Sequence, residues 1–298
     1  LINLPNARLE TRLAAAERAA DTGALTAERL AKIYMAEKFE PVELNNSLSL
    51  AAADRSPRGR ALLFQSAQVE SVSMAQAAIY SKAFDLAQED GRYLATINLY
   101  RPLLTKLGTT EDLSWFAAEA ARAFYSLDRP LPARGWMEIL RLAAEKDDAI
   151  KSTLDRLWLI NLLSDSTDLE FETGLLKWLD AHQQSSEMQF RSICTAGLRL
   201  IEALGYQVPD SAWWKVLESA AEVRRGSGDP VMRRAMLRAS EAGRRGETVL
   251  LMLLAFGGKA PGIENIDTTA TAARALRLVG LEAEARQLVL ELAAKEGL

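Results

Sequence analysis

The chain has 298 residues, 49% of them hydrophobic and 26% charged, a balance that excludes a disordered polymer. A formal net charge of -4 removes any global electrostatic pull toward nucleic acid or an anionic membrane. The single cysteine, Cys194, excludes an internal disulfide and a multi-cysteine metal site, and no apolar run reaches the roughly 18–20 residues of a membrane span.

Taken in chain order, helical periodicity and cap signals predict helices over 5–21, 25–37, 41–53, 57–71, 73–90, 92–107, 110–127, 131–146, 148–163, 167–182, 185–204, 209–225, 229–242, 245–256, 267–279 and 281–296. Ser73 to Gln76 and Thr167 to Glu170 have the form of capping boxes, and Thr109 to Asp112 and Pro209 to Ser211 place short polar or acidic side chains at helix starts. The richest apolar run, Val249 to Phe256, falls within the helix over 245–256. No β-branched alternating segment of useful length occurs, so the expected class is all-α.

Between these helices come short polar breaks: Asp21-Thr22-Gly23, Arg55-Ser56-Pro57, Asp90-Gly91-Arg92, Asp128-Arg129-Pro130, Ser164-Asp165-Ser166, Leu204-Gly205-Tyr206, Ala242-Gly243-Arg244 and Val279-Gly280-Leu281. They recur roughly every three dozen residues, each between two amphipathic runs, which is the pattern of stacked helical hairpins. The expected architecture is therefore a right-handed α-α superhelix (solenoid) of about eight hairpins.

Two of these units resemble a tetratricopeptide repeat (TPR). In Ala117 to Leu140, Ala117, Ala121 and Phe124 fall on a first helix and Ala133, Trp136 and Leu140 on a second. In Ala83 to Leu104, Gly91, Tyr93, Ala95, Tyr100 and Pro102 occupy comparable positions, with fainter echoes at Ala235 to Leu253 and Ala272 to Leu292. The family's unit is about 34 residues, whereas the spacing here drifts up to about 38. The resemblance implies a TPR-like α-solenoid over 1–256. Residues 257–298 then form a link and a C-terminal capping hairpin continuous with it.

Residues suited to catalysis are scarce. His182 is the only histidine; near Asp180 and Ser185 at a predicted helix end, it is expected to face solvent or cap the helix. Cys194 is expected to be a small core residue. Asp165, Asp168, Glu170 and Glu172 lack the glycine and downstream glutamate of a calcium loop, and Asp147-Asp148 has Ser152 where a further acid would complete a magnesium site. Gly257-Gly258-Lys259 lacks the order and preceding strand of a phosphate loop. No catalytic, metal or cofactor site is expected.

Two features stand out as binding surfaces. The first is an arginine cluster, Arg224, Arg225, Arg233, Arg234, Arg238, Arg244 and Arg245, interleaved with Glu222, Asp229, Glu241 and Glu247. It admits two readings: internal ion pairs, or a patch for anions or acidic peptides. The second is Trp213-Trp214, whose side chains point about 100° apart on a helix. Either one is core and the other lines a groove, or both are half-buried between hairpins. Trp115, Trp136, Trp158 and Trp178 recur about once per helix and are expected to serve packing.

The function expected from these features is a non-catalytic scaffold that holds a protein or peptide on the concave face of a superhelix, with nucleic acid not favoured. Arg234, Arg238, Arg244, Arg245, Trp213 and Trp214 are the candidate partner-binding residues. The alternatives are a helical-toroid carbohydrate-active enzyme with paired carboxylates and a superhelical arm of a cell-envelope assembly. The chain begins with Leu1 and not Met, which leaves periplasmic export by a removed upstream signal and a cytoplasmic home both open.

Overall fold

The computed structural model describes residues 8–164, 170–183, 185–219, 229–258 and 261–298, and among them every regular element is a helix. The predicted capping box at Thr167, the break at Asp165-Ser166, the end of the predicted 209–225 helix with Glu222, Arg224 and Arg225, and Lys259 lie outside the described residues. The chain divides into two compact units, 1–123 and 124–298.

The first unit is built from α1 (Leu9–Asp21), α2 (Ala27–Met35), α3 (Pro41–Asn45), α4 (Ser47–Ala53), α5 (Pro57–Val69), α6 (Ser73–Glu89) and α7 (Tyr93–Leu104), and, after a 3-10 turn at Glu111–Leu113, from α8 (Ser114–Ser126), within which the division falls. Helix α5 is its centre, with α1, α2, α3, α4 and α6 packed on it. Its start is specified locally: the Ser56 hydroxyl accepts from Arg58 N–H at 3.2 Å, and Pro57 occupies the first turn, where its missing N–H costs nothing. Residues Ala61 to Ala67 are then buried without interruption. Phe64 of α5, Tyr80 and Phe84 of α6 all meet the Tyr100 ring edge-on at 5.4–5.7 Å, the geometry the ring quadrupole favours.

The second unit contains α9 (Pro130–Ala144), α10 (Asp148–Arg156), α11 (Trp158–Ser164), α12 (Phe171–His182), α13 (Glu187–Ala203), α14 (Asp210–Leu217), α15 (Pro230–Glu241), α16 (Arg245–Phe256), α17 (Ile266–Leu278) and α18 (Glu282–Glu296). Early helices pack in sequence, α9 on α10, α10 and α11 on α12, and α13 on α14. The C-terminal hairpin then returns into the unit: α17 packs on α13, α18 on α11, and α15 and α16 rest on α17. Spatial order therefore departs from chain order. Two polar ties mark the return, Arg199 to Asp267 at 2.6 Å and Arg286 Nη1 to the Leu163 carbonyl at 2.7 Å.

Most hairpin tips share one piece of backbone chemistry. At Gly91, Gly205, Gly243 and Gly280 φ is 67°, 94°, 68° and 76°, and the next N–H donates five residues back, to the carbonyls of Ala87, Ile201, Ala239 and Leu276. Asp128, at φ 53°, supports the same bond from Arg129 to Phe124. This is the left-handed helix cap that satisfies orphan carbonyls. It explains why predicted breaks at these positions coincide with helix ends.

Three local expectations fail for identifiable reasons. The predicted 41–53 helix breaks at Asn46, whose side-chain amide donates to the Val42 carbonyl at 3.1 Å while its backbone N–H turns to Glu43. The predicted 148–163 helix breaks at Leu157, whose N–H is shared between the Thr153 and Leu154 carbonyls. The capping box at Ser73 does not form: Ser73 is already helical, and Glu70 instead accepts from the N–H groups of Ser71 and Val72, both at 2.8 Å.

Candidate interaction surface

Helix α14 separates its adjacent tryptophans as a 100° step requires. Ala212 and Val216, four apart, are buried. Trp213 lies half-buried, and its indole Nε1 donates to Glu202 Oε1 at 3.0 Å. Trp214 is 61% exposed and Leu217, three residues on, 55% exposed. Lys215 pairs with Asp180. Between α13 and α14 opens a cleft of about 560 Å³ lined by Arg191, Thr195, Asp210, Trp213, Trp214 and Leu217. That volume lies in the range of ligand pockets, about 300–1,000 Å³. Arg191 is fixed at its edge by a 2.8 Å bond from Nη1 to the Ser219 carbonyl.

The arginine cluster separates by task. Arg233 is drawn to Asp267 at 3.6 Å. Arg244 pairs with Glu247 at 3.0 Å. Arg245 donates through Nε and Nη2 to the Val279 carbonyl, at 3.2 and 3.0 Å, closing the end of α17. Arg234 and Arg238 are exposed and form no ion pair among the described residues. Arg245 shares its task with others: Arg55 donates to Leu86, Arg156 to Ala181, Arg191 to Ser219 and Arg286 to Leu163, each serving a carbonyl at another helix's C-terminal end. Sequence reasoning missed this use because the partners lie 25 or more residues away.

Leu217 was missed as well, although its i+3 spacing from Trp214 is visible in the sequence. Of the other tryptophans, Trp136 and Trp178 are buried and Trp158 is half-buried, whereas Trp115 is 49% exposed and departs from the packing role.

The titratable candidates are internal. His182 is buried, which corrects the expectation that it faces solvent, while the alternative expectation of a contact at the helix end agrees with its place in the last turn of α12. It is buried against the Trp178 ring, and Nδ1–H donates to the Trp178 carbonyl at 2.9 Å. Burial, then the Arg156 charge, holds its pKa below the usual histidine value. Cys194 is fully buried in α13, and burial pushes its thiol up to about 12, so it is the core residue expected. Glu119 is raised to about 7, chiefly by burial; the Asp85 charge adds to this, while the Ser81 hydroxyl and Arg122 oppose it. A raised carboxyl beside a second acid is the equipment of a general acid, but neither residue lines the α14 cleft. Among the described residues no three His, Cys, Asp or Glu side chains are placed to hold a metal ion.

No helix among the described residues is long and apolar enough to cross a membrane. The sequence matches no protein-family model, and no curated protein or solved structure matches it.

Proposed function

We propose that the chain is a non-catalytic interaction scaffold of the tetratricopeptide-like α-solenoid kind, which holds a protein or peptide partner. The carrying observation is the α14 cleft, where an exposed tryptophan and an exposed leucine stand over a space of about 560 Å³. An amphipathic indole at a half-open cleft gains most when a second apolar surface covers it, which is why tryptophan is enriched at binding hot spots. In this reading Trp213 sets the wall through its bond to Glu202, Trp214 is the anchor, and Arg234 and Arg238 offer uncommitted positive charge on α15, whereas Arg244 and Arg245 are held by Glu247 and the Val279 carbonyl. Stacked hairpins would align such positions along a concave face.

The test is selection from a displayed library of random peptides against the folded chain. Enriched peptides are expected to lose affinity for Trp214→Ala or for Arg234→Ala with Arg238→Ala. Failure to enrich any peptide, or binding indifferent to all these substitutions, removes the reading.

A carbohydrate-active enzyme with paired carboxylates has one observation in its favour, the Glu119 carboxyl raised to about 7 beside Asp85. It requires hydrolysis of a glycan that Glu119→Gln abolishes.

A further inference from the structure

The hairpin α15–α16 turns two unlike stripes away from its core. On α15, Met236, Ala239 and Ser240 are buried, and the positions half a turn away, among them Arg234 and Arg238, are exposed. On α16, Thr248 is buried, and Leu251, Met252, Ala255 and Phe256 pack on the cluster of Met236, Ala272 and Ala275. The opposite side of α16 carries Leu250, Leu253 and Leu254, which are 63%, 58% and 67% exposed. A leucine set at i, i+3 and i+4 is the seam a helix normally buries. Here it faces outward on the helix that also buries an apolar set inward.

The two helices run side by side. The chain reverses at Gly243 (φ 68°), and α15 and α16 pack on each other, so their axes run antiparallel at about one helix spacing, 8–10 Å, with Arg234 and Arg238 exposed on one helix and the leucines exposed on the other. Neither guanidinium has an acidic partner among the described residues, although Glu241 and Glu247 flank them in sequence.

We propose that this face docks an acidic amphipathic α-helix of a partner protein, with an aliphatic seam on Leu250, Leu253 and Leu254 and two carboxylates on Arg234 and Arg238. The inference rests on the scaffold reading and names a partner class for a surface none of whose residues lines the α14 cleft. Three features fix that class. A leucine ridge at helical spacing interdigitates best with the ridges of another helix. Guanidinium groups four residues apart match carboxylates four apart, since both pairs sit one turn apart. Each guanidinium fork binds a carboxylate through two bonds. A membrane surface fits less well: attraction to anionic lipid draws on clusters of about 4–8 basic residues, whereas here Arg244 is already paired with Glu247 and only two guanidiniums remain uncommitted on α15.

The probe is a fluorescein-labelled synthetic helix of about five turns, 18 residues, with leucines at alternating three- and four-residue spacing and glutamates in i, i+4 pairs beside them. A matched peptide carries glutamine for each glutamate. Binding to the full chain is read by anisotropy and the peptide's helicity by circular dichroism. The acidic peptide is expected to bind saturably and become helical, and the glutamine peptide to bind at least about tenfold more weakly. Arg234→Gln with Arg238→Gln should weaken the acidic peptide about tenfold and erase its advantage. Leu250→Gln with Leu254→Gln should abolish binding of both. All four positions are exposed, and unchanged melting confirms the fold.

Equal binding of the two peptides, or none, overturns the inference. So does binding only to phosphatidylserine vesicles, or a concentration-dependent dimer in sedimentation that the leucine substitutions abolish, since either names a different occupant. Trp214→Ala should leave the acidic peptide unaffected. If library-selected peptides still depend on Trp214 while the acidic helix does not bind, this inference fails and the scaffold reading stands.

Discussion

The guanidinium of Arg60 grips the carboxylate of Glu17, 43 residues earlier, through Nε at 2.9 Å and Nη2 at 2.7 Å. The same carboxylate accepts the Tyr34 hydroxyl at 2.5 Å and lies 3.6 Å from Arg92, which also binds Asp21. Glu17 and Tyr34 are almost wholly buried, so α1, α2, α5 and the start of α7 converge on one anion. Burial and the Glu17 charge hold the Tyr34 phenol far above its usual pKa, which keeps it a hydrogen-bond donor at neutral pH.

Removing that anion is therefore expected to be expensive. Glu17→Gln removes the charge that Arg60 and Arg92 share, leaving Arg60 only its 3.4 Å contact with Asp90 and Arg92 its bond to Asp21, and should cost about 3 kcal/mol. Tyr34→Phe removes one charge-assisted hydrogen bond and should cost about 1.5–3 kcal/mol. Urea denaturation of the single and double variants measures both costs and their coupling. A Glu17→Gln cost under about 1 kcal/mol would mean that solvent already screens the group.

Two buried groups should tilt stability in opposite directions across the acid range. Glu119 has a native pKa raised to about 7 from an ordinary 4.5, so between these values the native state holds a proton the unfolded chain releases. Its contribution is present in full below pH 4.5 and lost as pH rises through 7. Glu119→Gln, permanently neutral, should stabilise the protein at pH 8 by about 1–3 kcal/mol and leave it unchanged at pH 4.5. His182 has a native pKa held below 6.5, so its contribution is present above 6.5 and lost as pH falls through the native value. His182→Gln should flatten that acid limb. Urea midpoints of both variants across the pH series check the signs, and an Glu119→Gln gain that persists at pH 4.5 would remove the titration account.

Two glycines should respond differently to the same change. Gly91 holds φ 67° with nothing within 4 Å of an added Cβ, so Gly91→Ala costs only the left-handed strain, about 1–2 kcal/mol, and Gly91→Asn costs less. Gly59 is helical, but its Cβ would fall 1.9 Å from the Asp54 carbonyl oxygen, a backbone atom that must move. Gly59→Ala should cost about 1–3 kcal/mol despite alanine's better helix propensity, and Gly59→Asn should bring no relief. Thermal melts of the four variants separate conformational strain from collision.

The contrast between these glycines shows what a linear sequence discloses. Gly91 was legible as a turn because its requirement is local, as were the Ser56-Pro57 helix start and the small, buried Ala117 and Ala121. Gly59 was not, because the carbonyl it accommodates is placed by the bend between α4 and α5. The Asn46 break was hidden for a similar reason: a side chain competes for a backbone acceptor that periodicity assigns to the helix. The return of α17–α18 onto α11 and α13 was also invisible, since hairpin spacing counts units without ordering them in space. At the candidate surface, the residue types of Trp214, Arg234 and Arg238 were legible. Which arginines remain uncommitted depends on carbonyls tens of residues away.

That last distinction makes Arg245 and Arg234 a decisive pair. Both belong to the same hairpin and the same basic cluster, yet Arg245 donates twice to the Val279 carbonyl while Arg234 extends into solvent. A lost cap leaves a carbonyl at the end of α17 short of donors and loosens the contact between α16 and the α17–α18 turn. Arg245→Ala is expected to cost about 1–2 kcal/mol, the range of a charge-assisted hydrogen bond to a part-buried acceptor. Arg234→Ala should stay within about 0.5 kcal/mol, as surface changes without partners do. Arg245→Lys should recover only part of the loss, because an ammonium cannot reproduce the fork's two bonds to one oxygen. Equal destabilisation by Arg234→Ala and Arg245→Ala in urea would show that Arg234 has an internal partner, and the exposed basic pair would then be unavailable to an incoming carboxylate.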